Sequence, residues 1–374
     1  MDIFQILFFV FIAVIAIQFL YYILVFGKFS FAKKHESVAK NIPISVLVCA
    51  KNEQENVKKL IPILLEQNYP DYEIVLIDDA SSDETLDIFE AFEKQSRDFG
   101  TKIKLVKVEN NEAFWGNKKF ALTMGIKASK HEYMLFTDAD CYPTSKDWIS
   151  QMTSQFTKEK TIVLGYGAYE KIPGSFLNKL IRFETLLSAT QYFSWAKIGK
   201  PYMGVGRNLA YKKSEFFNVR GFMDHMKIRS GDDDLFINQA ANKANCAIAF
   251  DRESFTYSKP KTKFKKWFKQ KRRHVSTAKH YKFFDKFQLA VFFLTQLLFF
   301  VLAPILLAFQ YQWIIVASLV GFRYLFAWLS LGYAASKLNE KDVMYWFPLF
   351  EISLIATQIN VFVTNIFSKP VHWK

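Results

Sequence analysis

A stretch of residues without a charged side chain, from Ile3 to Phe26, limits how this chain can fold. One helical crossing of a bilayer needs about 20 mostly apolar residues. A cleaved signal peptide would have basic residues ahead of a shorter apolar run and a small-residue cleavage site, whereas here Asp2 comes first and no such site follows. We therefore predict an uncleaved anchor over residues 1–27, with its N-terminus outside. The basic residues that place the next domain in the cytoplasm are Lys28, Lys33, Lys34 and Lys40.

The C-terminal part of the chain, residues 288–374, is predicted to be a second membrane region. Two ionisable residues, Arg323 and Glu351, fall inside its apolar segments; they are candidates for a function in the membrane, or they pair with each other. Four crossings in total would leave Lys369 and Lys374 outside, against the charge rule, so one segment is alternatively re-entrant or interfacial. The three apolar segments are Leu289–Phe309, Trp313–Tyr333 and Val343–Phe367.

Residues 258–287 form a basic segment that directly precedes this region. The run Lys259–Lys286 holds twelve Lys or Arg against one acid, Asp285, and aromatic residues are threaded through it. Such a helix is typical of a membrane surface, and we prefer this interpretation to an ordinary solvated basic face because a membrane segment follows at once. The net charge of +14 also fits a nucleic-acid binder. We expect no nucleic acid as partner, because these basic residues do not lie on a soluble domain.

Between the membrane segments, residues 42–257 have the pattern of an α/β domain. Strands alternating with helices predict a mostly parallel sheet, whose ligands bind beyond the C-terminal strand ends. Ser82 is the expected N-cap of one helix. The predicted strands are Ile44–Cys49, Glu73–Ile77, Lys102–Val108, the run before Asp138, Thr161–Tyr169 and a final strand Ala247–Phe250. The predicted helices are Glu53–Glu66, Ser82–Phe99, Asn117–Ala128, Lys146–Phe156, Phe176–Ala196 and Leu235–Ala244.

Two carboxylates, Asp138 and Asp140, end the strand that leads into Leu135–Cys141. Residues i and i+2 of a strand point to the same side, so the two anions come together. A divalent cation bound to substrate phosphates would relieve their repulsion, although solvated aspartates at a strand end are the simpler explanation. The three cysteines are scattered and form no metal-ligand pattern, so we expect free thiols in a reducing compartment.

The ordered motifs of the chain resemble the family 2 glycosyltransferases of the GT-A fold. The resemblance covers roughly residues 43–275, and the layout of anchor, catalytic domain and C-terminal membrane segments is similar to the ceramide glucosyltransferase type. The motifs are Val-Cys-Ala-Lys-Asn-Glu (48–53), Ile-Asp-Asp-Ala-Ser-Ser-Asp (77–83), Gly-Asn-Lys-Lys-Phe-Ala-Leu (116–122), Thr-Asp-Ala-Asp (137–140), Gly-Arg-Asn-Leu-Ala-Tyr (206–211), Gly-Asp-Asp-Asp-Leu (231–235) and Gln-Lys-Arg-Arg-His (270–274).

The resemblance implies a nucleoside-diphosphate sugar as donor, with a UDP-sugar expected. Asp79 would bind the nucleoside, although Asp78 or Asp83 could fill that role. Lys118 would reach the nucleotide, with Lys119 as a possible substitute. Asp140, assisted by Asp138, would hold Mg²⁺ or Mn²⁺ against the diphosphate. The full set of implied donor-binding residues is Ala50, Asn52, Glu53, Asp79, Lys118 and Asp138.

The resemblance also implies an inverting displacement with a carboxylate as general base. Asp233 is the expected base, with Asp232 and Asp234 as neighbours that could be confused with it; alternatively the three acids interact with the dipole of the following helix. Gln270 would lie on the acceptor side and Arg273 would face the diphosphate. His274 stands where the family pattern has Trp, which puts the acceptor contact of this segment in doubt. Arg207 and Asn208 are the other expected acceptor-side residues.

The sequence therefore predicts a membrane-anchored glycosyltransferase with a lipid or lipid-linked acceptor, in the cytoplasmic membrane of a bacterium. A polysaccharide synthase or exporter is the alternative within the same class. A non-catalytic membrane scaffold on a transferase fold is the alternative from another class, and it would be expected to lose some of these carboxylates. The sequence makes no prediction of the sugar, the acceptor or the oligomeric state.

Overall fold

The structure is a computed structural model that describes residues 2–33, 40–99, 102–109, 117–228 and 230–368. Its helices are α1 (Ile3–Phe19), α2 (Gly27–Ser30), α3 (Gln54–Leu65), α4 (Thr85–Phe99), α5 (Asn117–Ala128), α6 (Trp148–Thr153), α7 (Phe176–Ile198), α8 (Lys213–Asn218), α9 (Asp234–Ala240), α10 (Phe264–Ala278), α11 (Phe283–Ala308), α12 (Trp313–Lys337) and α13 (Phe347–Phe367). Its strands are β1 (Ile44–Ala50), β2 (Tyr72–Asp79), β3 (Lys102–Val108), β4 (Tyr133–Asp138), β5 (Cys141–Pro143), β6 (Ile162–Leu164), β7 (Gly167–Tyr169), β8 (Leu209–Lys212), β9 (Cys246–Ile248) and β10 (Thr256–Ser258).

The chain divides into two compact units, which we call the sheet unit and the apolar unit. The described parts of the sheet unit are residues 40–171 and 199–261. Those of the apolar unit are residues 2–33, 172–198 and 262–368. Helix α7, which the sequence analysis included in the range 42–257, therefore groups with the apolar helices.

The larger sheet of the sheet unit has, within the described ranges, the strand order β3-β2-β1-β4-β8-β6-β9. Strands β1, β2, β3 and β4 pair in parallel, β8 pairs antiparallel with β4 and β6, and β6 and β9 are parallel. This mixed but mostly parallel α/β sheet confirms the predicted fold class. The register aligns Ala50 with Asp78 and Cys49 with Asp138, so the polar ends of β1, β2 and β4 lie side by side.

The central strands are buried along their length because helices cover the sheet, and buried parallel strands read as nearly continuous apolar runs. Helix α5 packs closely on this sheet at Gly125. A Cβ added there would lie 2.1 Å from Cδ1 of Ile77 on β2, so a larger residue would push the helix off the sheet. This packing fixes the first turn of α5 near the ends of the strands.

Several predicted elements are wrong in detail. Helix α4 begins at Thr85 rather than after Ser82, and the side chain of Asp83 accepts the Thr85 N–H at 3.0 Å. The predicted strand Thr161–Tyr169 is two short strands, β6 and β7, in different sheets, because the chain leaves the large sheet between them. Strand β9 is not the last, since β10 follows it in a small sheet of order β5-β10-β7 within the described residues. Helix α9 ends at Ala240, before the predicted Ala244.

In the apolar unit, four helical segments of the described chain are long and apolar enough to cross a membrane. They are Ile3–Ser30, Phe283–Ala308, Trp313–Lys337 and Lys341–Phe367. The N-terminal segment changes at Leu20 from an α-helix to a π-helix, which ends at Val25. Lys34, Lys369 and Lys374, used in the topology prediction, lie outside the described residues.

Arg323 and Glu351 pair with each other inside the apolar unit, as one of the two sequence alternatives predicted. Nη1 of Arg323 donates to Oε2 of Glu351 at 2.6 Å, and its Nε donates to Gln18 on α1 at 2.6 Å. Tyr22 donates to Oε1 of Glu351 at 3.1 Å. This buried network ties α1 and the following π-helix to α12 and α13, and it satisfies charges that water does not reach.

Candidate active site

The loops that follow β1 and β2 are joined to each other by side-chain hydrogen bonds. Asn52 adopts a left-handed backbone with φ of 56°. Its Oδ1 accepts the Ser82 N–H at 2.8 Å, and its own N–H donates to Oγ of Ser81 at 3.0 Å. The N–H of Glu53 donates to Thr85 at 2.9 Å. Ala50, Asn52 and Glu53 thus lie on one connected edge, which was the expected position for a nucleoside site.

Asp78, Asp79 and Asp83, among which the sequence left the nucleoside contact open, have different environments. Asp83 caps backbone N–H groups of Gln54 and Thr85, and Asp78 accepts the N–H of Ser81 at 3.2 Å. Within the described residues Asp79 accepts no hydrogen bond, and burial raises its pKa to about 6. Asp79 is therefore the carboxylate of this group with neither oxygen bonded by the loop, whereas Asp78 has one oxygen, Oδ1, without a partner among the described residues.

Asp138 and Asp140 lie together at the end of β4, as their spacing predicted. Ligand atoms of Asp138, Asp140 and Cys141 lie within 4.8 Å of one another. Partial dehydration and then the Asp138 carboxylate raise the pKa of Asp140. Paired carboxylate oxygens are ligands that Mg²⁺ and Mn²⁺ prefer, so the residues present fit a divalent cation.

Lys118, in the first turn of α5, links this acidic pair to a second acidic group. Its Nζ lies 2.9 Å from Oδ1 of Asp138 and 2.8 Å from Oδ2 of Asp232. Burial opposes the charged form of Lys118, but these two carboxylates outweigh it and hold the pKa of Lys118 well above its ordinary value. In turn the ammonium group overcomes burial and lowers the pKa of Asp232. Lys118 is thus a half-buried cation of the cleft that is paired with two carboxylates.

Asp233 occupies the end of the same cleft, at the N-cap of α9. Its Oδ2 accepts the Gly206 N–H at 2.7 Å, and its Oδ1 accepts the Asp234 N–H at 2.7 Å. Burial, and then the Asp232 and Asp234 carboxylates, raise the pKa of Asp233 to about 7. Asp234 is buried and bonds the N–H of Leu235. The three acids therefore have three environments, which the helix-dipole explanation did not anticipate.

Lys119 does not share the environment of Lys118. It is 1% exposed, and its Nζ donates to the carbonyl oxygens of His225 and Ile228, each at 2.8 Å. Nδ1 of His225 lies 2.9 Å from the same nitrogen. Lys119 thus binds the loop before Asp232, whereas Lys118 binds the carboxylates of Asp138 and Asp232. Gly116, the first residue of this motif, lies outside the described residues.

Arg207 and Asn208 differ in what they can contact. The Arg207 guanidinium lies 4.4 Å from the centre of the Tyr169 ring and donates to Ala168 and Ser258, at 3.1 and 3.0 Å. Asn208 is fully buried; it donates to the carbonyl oxygens of Tyr166 and Ser254 and accepts from Trp148. This corrects the expectation for Asn208: its side chain holds the loop to the core, and no surface remains for an acceptor.

Gln270 and Arg273 lie on α10, in the apolar unit. Their assigned roles toward the acceptor and the diphosphate therefore stay predictions. His274 follows on the same helix. One neighbour, Lys271, forms an ion pair with Glu184 of α7.

One open cleft of the sheet unit is lined by three of these acids, Asp138, Asp232 and Asp233. Sequence reasoning missed its apolar wall, because residues such as Leu122 and Phe136 look like ordinary core in a linear pattern. It also missed the Gly206 N–H that holds Asp233, although the Gly-Arg-Asn run was noticed. The lining residues are Leu47, Cys49, Lys118, Leu122, Phe136, Thr137, Asp138, Gly206, Leu209, Tyr211, Asp232 and Asp233.

Comparison with known families decides the class of this site. Residues 45–233, half of the chain, match the family model "Glycosyl transferase family 2". The chain belongs to glycosyl transferase family 2. The predicted enzyme class, glycosyltransferase, is confirmed at the level of this family, and the matched range ends at Asp233.

Relatives and solved structures agree with the family. The chain is 23% identical over 195 residues to a 4,4'-diaponeurosporenoate glycosyltransferase of Staphylococcus haemolyticus, covering 51% of this chain and 50% of that protein. It is 39% identical over 97 residues to a poly-β-1,6-N-acetyl-D-glucosamine synthase of Staphylococcus epidermidis, covering 26% and 21%. The chain thus spans half or less of the length of these curated relatives.

A mannosyltransferase from Pyrobaculum calidifontis, solved with GDP-Man and Mn²⁺, has a similar fold. The TM-score is 0.55 at 18% identity, and the match covers 89% of this chain and 98% of that one. This likeness confirms the GT-A fold.

Proposed function

We propose that this protein is an inverting glycosyltransferase that moves a sugar from a nucleoside-diphosphate sugar to a lipid or lipid-linked acceptor. The observation that carries the proposal is the contact of Lys118 with both Asp138 and Asp232. It brings the carboxylate end of β4 and the acids before α9 into one cleft. A donor diphosphate needs cationic partners, and an acceptor hydroxyl needs a base, and this cleft holds residues for both.

Asp233 is the general base of the proposed reaction. A lone pair of the acceptor hydroxyl forms the new bond to the anomeric carbon while the bond from that carbon to the diphosphate oxygen breaks. The hydroxyl proton passes to Asp233, and the nucleoside diphosphate leaves with the electron pair. A pKa of about 7 keeps Asp233 available as a base near neutral pH. Attack opposite to the leaving group inverts the anomeric configuration.

The leaving diphosphate is stabilised by charge that the cleft supplies. Asp138 and Asp140 are the residues that would hold Mg²⁺ or Mn²⁺. Such a cation, when bound, neutralises charge on the diphosphate. Lys118 adds a fixed positive charge beside this pair, since its own pKa is far above neutral. Asp79, Asn52, Glu53 and the Ala50 backbone form the edge proposed for the nucleoside, and a UDP-sugar is the proposed donor.

The lipid acceptor is supported by the four apolar helical segments and by the basic helix α10. We propose that the protein lies in the cytoplasmic membrane with its sheet unit in the cytoplasm. Exposed aromatic residues, among them Phe264, Phe283 and Phe287, accompany the basic residues of the segment 258–287. Such a segment suits an anionic membrane surface. Arg207, Gln270 and Arg273 remain the proposed residues toward the acceptor and the diphosphate.

Donor turnover tests the proposal. The full chain in detergent, with Mn²⁺ or Mg²⁺, is given a panel of nucleotide sugars, with and without extracted membrane lipid, and the released nucleoside diphosphate is measured. Release is expected to need the metal and the lipid, and to be lost in Asp140→Ala and Asp233→Asn. Release that ignores lipid and survives Asp233→Asn would indicate donor hydrolysis alone. Folded protein that binds none of the nucleotide sugars would contradict the transferase function.

A carbohydrate polymer is the second candidate acceptor. It is favoured by the 39% identity to the poly-β-1,6-N-acetyl-D-glucosamine synthase, although that match covers 21% of the synthase. The same assay separates the two: a polymer product would appear without added lipid and would grow in length with time, whereas a glycolipid would extract into organic solvent as one species.

A further inference from the structure

Helix α5, which carries Lys118, also contacts the loop that precedes the acids Asp232 and Asp233. Between Phe222 and Ser230 the described chain contains one short 3₁₀ turn, Met223–His225. Two carbonyl oxygens of this loop, on His225 and Ile228, accept hydrogen bonds from the single ammonium group of Lys119. An interaction that ties two carbonyl groups of a loop, on His225 and Ile228, to one point restricts where the loop can end.

The hydrogen-bond donors of the Lys119 ammonium group are all directed at this loop. An ammonium group has three N–H donors and no acceptor. The two carbonyl oxygens and Nδ1 of His225, all at 2.8–2.9 Å, match these donors in number. The residue is 1% exposed, so water does not replace these partners. Burial lowers the pKa of Lys119 to about 8, which is the expected cost of a cation placed inside a protein.

The loop leads directly to the catalytic acids. Gly231, with φ of +94°, turns the chain into Asp232 and Asp233. Asp232 contacts Lys118, the residue next to Lys119 on α5, at 2.8 Å. His225 and Ile228, and then Asp232, therefore all contact the first turn of the same helix. Because α5 packs on the sheet at Gly125 and its Lys118 contacts Asp138, the position of this segment is fixed relative to the strand that carries Asp138.

We propose that Lys119 is a positioning residue for the transfer reaction: it fixes the loop before Asp232 so that Asp233 is held at the acceptor hydroxyl. This inference rests on the proposed function. Lys119 itself touches neither the cleft-lining carboxylates nor the edge proposed for the nucleoside. Its loss should therefore move the base and leave the donor site in place. A displacement of about 1 Å at a reacting group can cost about 100-fold in rate.

The test compares Lys119→Met with Lys127→Met in the full-length protein. Methionine keeps the length of the lysine stem but donates no hydrogen bond. Lys127 is an exposed lysine of the same helix, so its variant controls for the lost charge. The probes are the nucleotide sugar that wild type turns over, for kcat, and the corresponding nucleoside diphosphate, for Kd.

For Lys119→Met we expect kcat to fall about 10- to 100-fold with the nucleotide Kd within about two-fold of wild type. Lys127→Met should match wild type in both. A kcat within two-fold of wild type would overturn the inference, and so would a nucleotide Kd that weakens together with kcat, since Lys119 would then support the donor site.

Two further measurements keep the inference testable. If Lys119→Met does not fold, His225→Ala replaces it: this variant removes one of three partners of the ammonium group, and kcat should fall about three- to ten-fold at unchanged nucleotide Kd. An unchanged kcat in His225→Ala would then reject the role. If wild type binds no nucleotide and turns over no donor, the proposed function fails with it. Turnover by wild type that is unaffected by Lys119→Met removes the positioning role alone.

Discussion

At the scale of single residues, the acid cluster before α9 shows how one sequence run can give three chemical environments. Asp232 is paired with a cation, Asp233 accepts two backbone N–H groups, and Asp234 is buried in the helix start. A carboxylate with a raised pKa between two acids is suited to take up a proton, whereas one paired with lysine stays ionised.

The pH dependence of turnover should report Asp233. A base must be ionised to accept a proton, and the pKa of Asp233 is raised to about 7. We therefore expect kcat to rise as pH increases through about 7 and to level off above it. In Asp233→Asn we expect kcat to fall about 100- to 10,000-fold at every pH, with this rise lost. A rate assay from pH 5.5 to 8.5 measures both. Asp87→Asn, which changes an exposed acid of α4, should keep the wild-type profile; an unchanged profile in Asp233→Asn would assign the base elsewhere.

Donor affinity should report Asp79 at lower pH. Its pKa is raised by burial to about 6, and the proposed role is to accept hydrogen bonds from the nucleoside. Below about pH 6 the carboxyl gains a proton and loses acceptor capacity, so the nucleotide Kd should increase as pH falls. Asp79→Asn should weaken binding about 10-fold at pH 7.5 and flatten this dependence. Isothermal titration with the nucleoside diphosphate checks both, and the exposed Asp87→Asn serves as control. Equal affinity in Asp79→Asn and wild type would exclude the role.

At the scale of elements, the sequence predicted helices and strands most accurately where a local pattern of residues determines them. Helix α5 begins and ends where its helical pattern predicted, at Asn117 and Ala128. The prediction of one strand over Thr161–Tyr169 was wrong, because a run of apolar residues does not show that the chain moves to another sheet. Helix α7 was predicted as a helix, but its grouping with the apolar helices depends on tertiary packing.

The sequence predicted some residues of the candidate site and not others. The carboxylates of β4 and the acids before α9 could be found from motif order and strand alternation. The choice between Lys118 and Lys119 could not, because neighbouring residues of a helix point about 100° apart and only the packing of the helix decides which one faces the cleft. The burial of Asn208 could not be predicted from the sequence either, since its hydrogen-bond partners are distant along the chain.

The buried ion pair of the apolar unit should be essential to its stability. Arg323 and Glu351 are 0% and 2% exposed, and removing one partner leaves an uncompensated charge. Glu351→Leu alone should therefore destabilise the unit by about 3–5 kcal/mol, whereas the double change Arg323→Met with Glu351→Leu should lose much less. Thermal unfolding in detergent measures this, with the exposed Leu325→Ala as control. A double variant as unstable as the single one would show that the residues do not act as a pair.

At the scale of the whole molecule, the contacts of α13 favour one of the topologies that the sequence left open. The loop before α13 is held by Arg182 of α7, which donates to Glu340 and, at 2.8 Å, to Asp342. The other end of α13 is held by Arg272 of α10, which bonds Asn365 and Ser368 at 2.8 Å. Helix α10 directly precedes α11, so Arg272 lies near the first turn of α11.

The first turns of α11 and the last turn of α12 lie on one side of the apolar unit. Tyr21, near the end of the N-terminal segment, donates to the carbonyl of Gln288 at 2.7 Å, and Lys337 donates to the carbonyl of Ala32. A helix of 21 residues rises about 31 Å, enough to reach the opposite side if it stood upright. Because the loop before α13 follows the last turn of α12 and the last turn of α13 contacts α10, we predict that α13 does not cross to the opposite side.

We therefore expect three crossings and a C-terminus on the side of α10, which also agrees with the charge rule that four crossings would break. Single cysteines at Ser368, Lys28 and Gln310, in a chain whose three native cysteines are replaced by alanine, test this in intact cells with a membrane-impermeant maleimide. Only Gln310→Cys, in the short α11–α12 connection, should be labelled before the cells are opened, because it lies at the far ends of both helices. Labelling of Ser368→Cys together with Gln310→Cys would instead require that α13 crosses, and the contacts of Arg272 with Asn365 and Ser368 would then have to be absent in the membrane.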